Sequence, residues 1–151
     1  MAYQNTPDEF LQMIDLYIQA KVTKAEEIAS QFTSQNDVSI ELKKSYTSFI
    51  IPCMIGARND IKEVLKESEV NNHNAGEAFG ILIYYITRRS MRMGDLKENC
   101  TDPIILAGLN LVQGVSVDLI SEISALAQTT LGLSAESIEA TFALVRGMLN
   151  S

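Results

Sequence analysis

Three closely spaced arginines are the side chains of this 151-residue chain best suited to binding chemistry. Arg88 and Arg92 are four residues apart, so a helix would place them on one face, with Arg89 turned about a quarter of the way around. A guanidinium group binds a carboxylate or a phosphate through two parallel hydrogen bonds. The cluster therefore predicts either an anion-binding site or ion pairs with acidic residues of this chain or of a neighbouring subunit, and the sequence favours ion pairs.

An apolar segment leads into the arginines. Residues 81–86 read Ile-Leu-Ile-Tyr-Tyr-Ile, the longest apolar run in the chain, and a helix that is apolar on all sides is normally buried on all sides. A ligand with an apolar tail and an anionic head group would suit this junction, with the tail in the core beside Phe79 and Tyr84 and the head group at Arg88 or Arg92. The candidate ligand-binding residues are Arg88, Arg92, Arg89, Tyr84 and Phe79.

Residues for catalysis or metal binding are few. His73 is the only histidine, and the two cysteines, Cys53 and Cys100, lack the close spacing of a metal site or a disulfide framework. Cys53 follows Pro52 in an apolar stretch and is predicted to be a buried thiol, whereas Cys100 lies in a predicted loop where it could be reactive. The sequence contains no glycine-rich phosphate loop and no nucleophile elbow. It therefore predicts a protein that is not an enzyme and that holds no metal or other cofactor.

Composition and charge set further limits. The chain is 46% apolar and 21% charged, and its formal net charge is −7, which opposes non-specific binding to nucleic acid and to anionic membranes. No apolar run approaches the roughly 20 residues of a membrane-spanning helix, and the first residues lack the basic start and apolar core of a signal peptide. The sequence thus predicts a cytoplasmic protein that binds neither nucleic acid nor a membrane.

Helical periodicity recurs along the whole chain and predicts an all-α fold of six to eight helices in a single domain, residues 1–151. Residues 75–93 are predicted to form a central helix because the neighbouring segments are helical, no partner strand is visible, and Gly94 is a typical helix stop. Pro52 predicts a kink or a new start within the helical pattern of residues 39–69. Predicted helix N-caps are Thr6, Thr23, Thr101 or Asp102, Ser116 and Ser134.

The C-terminal third carries little charge, because Arg146 is the only basic residue after Lys97. Two explanations are open: these helices build most of the core, or a second subunit covers part of their surface, since large exposed apolar patches are rare on monomers. The second explanation predicts a homodimer formed through the C-terminal helices. In the central helix, the spacing of Gly76 and Gly80 permits close approach of a crossing helix and leaves room for a narrow cavity.

One stretch of about 30 residues resembles the middle of the phycobiliproteins. The resemblance is carried by Tyr84-Tyr85-Ile-Thr-Arg88, by Gly94-Asp95, and by Leu106-Ala107-Gly108-Leu109. It implies globin-like helix packing. The cysteine that would carry a bilin upstream of the tyrosines is missing, since Ala78 and Phe79 occupy that region, so no chromophore is inferred.

The leading functional prediction is a non-enzymatic, soluble binding or regulatory protein that acts through protein–protein contacts, as a homodimer. An inhibitor or immunity-type protein fits the acidic surface, because complementary charge speeds association with a basic target. The alternative prediction is a sensor or carrier domain that binds an apolar-tailed anion, such as a fatty acid, in the helical core.

Overall fold

A computed structural model describes residues 6–32, 36–66 and 74–150, and every regular element within these ranges is a helix. The predicted all-α class is therefore confirmed. The predicted helix over residues 75–93 is also confirmed, but it continues to Glu98, so the predicted stop at Gly94 is wrong. His73 and most of its predicted loop lie outside the described residues.

The helices follow one another through short connections. They are α1 (Pro7–Gln31), α2 (Asp37–Ser45), a π-helical turn (Tyr46–Ile50), α3 (Ile51–Lys66), α4 (Ala75–Glu98), α5 (Pro103–Leu131) and α6 (Ala135–Leu149). Because α2, the π-helical turn and α3 join without a break in helical backbone angles, the described residues form five continuous helices. The predicted count of six to eight is therefore not confirmed within the described ranges.

Two of the predicted N-caps lie inside helices, so the segments that they were expected to separate are continuous. Thr23 is in the middle of α1, where Val22 and Ala25 continue the buried apolar stripe on either side of it. Ser116 is buried inside α5 and donates its hydroxyl proton to the carbonyl oxygen of Val112, one turn earlier, at 2.9 Å. A residue that can cap a helix does not start one where the apolar stripe continues through it.

Three other predicted caps are confirmed. The side-chain oxygens of Thr6, Asp102 and Ser134 accept hydrogen bonds from backbone N–H groups in the first turns of α1, α5 and α6, at 3.1, 2.9 and 3.0 Å. Asn74 caps α4 in the same way. These bonds satisfy N–H groups that have no partner within the helix.

The predicted interruption near Pro52 takes the form of the π-helical turn. The N–H group of Ile51 bonds to the carbonyl oxygen of Tyr46, five residues back. Because Pro52 has no N–H group and its ring crowds the preceding turn, a widened turn directly before it lets the chain remain helical. The turn also directs Phe49 onto Gly108 of α5, where a β-carbon would overlap the phenyl ring.

Helix α4 occupies the centre of the fold and contacts α1, α3, α5 and α6. Leu82, Ile83 and Ile86 of its apolar run are buried, as predicted. The prediction that the run is buried on all sides is wrong for Ile81, Tyr84 and Tyr85, which are only partly buried. One side of the central helix therefore reaches the surface beside α6.

Candidate functional site

An apolar groove of about 610 Å³ runs between α4 and α6; we call it the α4–α6 groove. Gly76 and Gly80 form its floor. A β-carbon on Gly76 would lie 3.6 Å from Leu133, and one on Gly80 would lie 3.5 Å from Thr141. Because these positions carry no side chain, α6 can lie close to α4 while space remains beside the contact. The other principal lining residues are Ile81, Tyr84, Tyr85, Leu144, Val145 and Met148.

Two tyrosines and an arginine mark one end of the α4–α6 groove. The rings of Tyr84 and Tyr85 meet edge to face, with centroids 5.9 Å apart. The guanidinium carbon of Arg88, one turn further along α4, lies 5.4 Å and 5.2 Å from the two ring centroids. These distances are those of cation–π contacts. Both rings therefore hold the positive charge of Arg88 at the end of the groove.

Arg89 points to a different surface, between α4 and α3. Its Nη2 atom donates to Oδ1 of Asp60 at 2.6 Å. Gly56 leaves room for this contact, since a β-carbon there would overlap the guanidinium group. Arg89 thus forms the kind of ion pair that the sequence favours for this cluster.

The acidic partner in this pair is buried. Asp60 is 8% exposed, and its second oxygen, Oδ2, has no hydrogen-bond partner in the described part of the chain. Burial raises the pKa of Asp60 above its usual value, while the nearby charges of Arg89 and Arg88 lower it to a smaller extent and Glu63 raises it. The short contact with Arg89 therefore offsets only part of the cost of burying this carboxylate.

The five predicted ligand-binding residues do not form one site. Tyr84 lines the groove and Arg88 lies at its end, but Arg89 is paired with Asp60. Phe79 is fully buried and meets Phe10 edge to face in the core, so it faces away from the groove. Arg92 is exposed and forms no ion pair with any described residue.

Sequence reasoning missed the contribution of α6 to the groove. Leu144 and Met148 form part of its wall and are both largely exposed. The spacing of Gly76 and Gly80 was a usable signal for a close crossing, but it could not identify the helix that crosses. Tyr85 was also missed, although it directly follows the predicted Tyr84.

A second notable surface lies on the N-terminal half of α5. Ile104, Ile105, Leu111 and Val117 are all exposed, Ile104 by 69% and Val117 by 61%; we call these four residues the α5 apolar face. In contrast, α5 and α6 together supply few of the buried core residues, namely Leu119, Ile123, Ala127, Ile138 and Val145. The explanation that the C-terminal helices build most of the core is therefore wrong.

Contrary to the expectation from the sequence, helix α5 is long and apolar enough to cross a membrane by length and composition alone. Its most apolar window has a mean hydropathy of 1.7, and 17% of that window is buried. The C-terminal part of α5 packs into the protein, where Leu119 and Ile123 are almost completely buried. Glu122 there forms an ion pair with Lys21 of α1 at 2.9 Å and accepts a hydrogen bond from Tyr17 at 2.7 Å.

The cysteines differ in environment. Cys53 is buried, and burial raises the pKa of its thiol, which keeps it in the unreactive protonated form at neutral pH. Its sulfur lies 3.6 Å from the hydroxyl of Ser116. Cys100 is partly exposed in the connection between α4 and α5. Within residues 6–32, 36–66 and 74–150, no group of three His, Cys, Asp or Glu side chains is arranged to hold a metal ion.

The groove and the α5 apolar face are the two surfaces from which a function can be argued. The residues that carry the resemblance to phycobiliproteins lie close to both: Tyr84 and Tyr85 line the groove, and Gly108 receives Phe49 behind the α5 apolar face. No protein-family model matches the chain, and neither a curated protein nor a solved structure is significantly similar to it.

Proposed function

We propose that this chain is a non-enzymatic helical binding protein that acts through protein–protein contacts and pairs with a second copy of itself through the α5 apolar face. The observation that carries the proposal is the exposure of four large apolar side chains on one half of one helix. Several large apolar side chains exposed on one half of a single helix are uncommon on monomers and more typical of interfaces. Covering this surface would stabilise the complex by about 25 cal/mol for each Å² of apolar area that is removed from water.

The charge pattern supports a second copy as the partner. Two copies that each carry a net charge of −7 repel one another, so they can pair closely only through surface that lacks charge. Residues 103–117 contain no charged side chain. A two-fold symmetric dimer would place this uncharged half of α5 against the same half of the partner and keep the acidic surface in solvent.

A membrane is a weaker explanation for the exposed apolar residues. Spanning a bilayer would pull Leu119 and Ile123 out of the core and break the contacts of Glu122 with Lys21 and Tyr17. These features favour a protein partner.

A role in regulation completes the proposal. The acidic surface left free in the dimer would steer a basic protein target, because complementary charge raises association rates. We further propose a cytoplasmic location and a globin-like arrangement of the helices, in line with the composition and with the resemblance to phycobiliproteins.

Substitution on the α5 apolar face tests the proposal. Ile104→Glu and Val117→Glu each place a charge on an exposed position of the face, and each should convert a dimer to a monomer in size-exclusion chromatography with light scattering. Gln128→Glu adds the same charge on an exposed position of the C-terminal part of α5 and should leave the dimer intact. Dimers of unchanged stability in both face variants would refute the proposed interface.

A further inference from the structure

The α4–α6 groove has the shape of a ligand site and is separate from the α5 apolar face. Its volume of about 610 Å³ lies within the range of about 300–1,000 Å³ that is usual for small-molecule sites. Its walls are mainly apolar side chains from two helices that pack on the core, through Phe79 and Leu82 of α4 and through Ile138 of α6. A groove of this kind suits one alkyl chain.

The two ends of the groove differ in charge. At the start of α4, the carboxylate of Glu77 accepts a hydrogen bond from the side chain of Asn74 at 2.8 Å, and both residues line the groove. At the other end, Arg88 stacks on Tyr84 and Tyr85. A negative head group would be repelled at the first end and attracted at the second, which fixes the orientation of an amphiphilic ligand.

Arg88 and Arg92 form no ion pair with any described residue, and Arg88 is the one that lies beside the tyrosines of the groove. Arg89 donates to Asp60 and Arg58 donates to Asp15, at 2.6 Å and 2.9 Å. No described carboxylate lies within ion-pair distance of Arg88, whose contacts are the two aromatic faces. Aromatic faces accept no conventional hydrogen bond from these N–H groups, so the guanidinium group can still donate to a carboxylate.

We propose that the α4–α6 groove binds a free single-chain carboxylate of the fatty-acid type, with the alkyl chain along the apolar walls and the carboxylate on the guanidinium group of Arg88. The site differs from the sequence-based expectation in that the tail lies between α4 and α6 and not in the core beside Phe79. Along α4, the distance from Glu77 to Arg88 is about 16 Å at 1.5 Å per residue, enough for an extended chain of medium length.

Titration calorimetry of the full chain with dodecanoate, below its micelle concentration, tests the site. The wild type should bind one dodecanoate per chain in a saturable manner. Arg88→Gln should weaken binding by about tenfold or more, because a hydrogen-bonded contact between opposite charges is lost. Leu144→Glu, at a 67% exposed position of the groove wall, should also weaken binding, since it places a negative charge beside the ligand.

Arg92→Gln is the matched control, because it makes the same change of charge one helical turn further from the tyrosines. This variant should bind dodecanoate with wild-type affinity. Dodecanol, which lacks the carboxylate, should bind the wild type and Arg88→Gln equally. Circular dichroism verifies that each variant is folded. Absence of saturable binding to the wild type, or equal losses in Arg88→Gln and Arg92→Gln, would overturn the proposal.

The test also separates this site from the proposed dimer. Ile104→Glu, which should break the dimer, should bind dodecanoate with wild-type affinity. If Leu144→Glu abolishes the dimer and dodecanoate does not bind, the groove is instead occupied by a second copy, and the ligand proposal fails.

Discussion

At the scale of single residues, Asp60 is the side chain whose environment is most unfavourable to its charge. It is buried beside Arg89, and one carboxylate oxygen has no partner among the described residues. Replacing one member of a buried ion pair usually costs stability. Here the raised pKa of Asp60 shows that burial outweighs the attraction of both neighbouring arginines, so its ionised form destabilises the folded state relative to the unfolded chain.

The raised pKa of Asp60 predicts a pH dependence with a definite sign. The folded protein holds the Asp60 proton more tightly than the unfolded chain, so this residue contributes stability at acidic pH, and that contribution is lost as the pH rises through the raised pKa. Asp60→Asn removes this titration and keeps an oxygen to accept from Arg89. Denaturant unfolding at several pH values between about pH 4 and neutrality should show the variant gaining stability relative to the wild type as the pH increases.

The opposite trend would contradict this account of Asp60. If the wild type gains stability relative to Asp60→Asn as the pH rises, the ion pair with Arg89 must lower the pKa below its unfolded value. Comparing the two proteins at each pH cancels the titration of groups that do not interact with Asp60, so the difference reports chiefly on Asp60 and its charged neighbours.

Residue types were predictable from the sequence, but their partners were not. The arginine cluster was correctly singled out, yet its three members face different surroundings: aromatic rings for Arg88, a carboxylate for Arg89 and solvent for Arg92. The partner Asp60 lies 29 residues before Arg89. Nothing in the local sequence of either residue indicates this pairing, which depends on how α3 packs against α4.

At the scale of helices, two glycines offer a direct test of the packing around the π-helical turn. Gly108 lies under the Phe49 ring and leaves no room for a β-carbon, whereas Gly147 in α6 has no atom within 4 Å of that position. Gly108→Ala should reduce the free energy of unfolding by about 1–3 kcal/mol, because it displaces Phe49 from a packed contact. Gly147→Ala should raise it, by up to about 1 kcal/mol, because alanine favours the helix.

Denaturant unfolding of both glycine variants provides the measurement. Equal effects of the two substitutions would mean that Phe49 does not rest on Gly108, and that the π-helical turn does not connect α2 and α3 to α5 as described. A stabilising effect of Gly108→Ala would contradict the packing most directly.

The presence of the helices could be predicted from the sequence, whereas their boundaries could be predicted only in part. Apolar periodicity identified every helical region, and cap residues located the starts of α1, α5 and α6. Thr23 and Ser116 were wrongly predicted to be N-caps, because residues of these types are also tolerated inside a helix whose packing continues on both sides of them. The interruption at Pro52 was predictable from its missing N–H group, but its form as a π-helical turn was not, because a kink or a new helix start would also accommodate the proline.

At the scale of the whole molecule, the distribution of apolar residues is the feature that calls for a partner. The sequence showed that the C-terminal third is weakly charged, but only the packing shows that Ile104 and Val117 face solvent while the core comes chiefly from α1, α3 and α4. Burial depends on tertiary contacts, so composition alone could not decide between a core and an interface. The proposed dimer explains why this surface lacks charge.

The mass of the unmodified protein in solution tests the central claim most directly. Sedimentation equilibrium across a range of concentrations up to high micromolar should give a mass of twice 16.7 kDa, because pairing covers the α5 apolar face in both copies. A mass of 16.7 kDa at every concentration would show that the face stays exposed in a monomer, and would contradict the proposed homodimer.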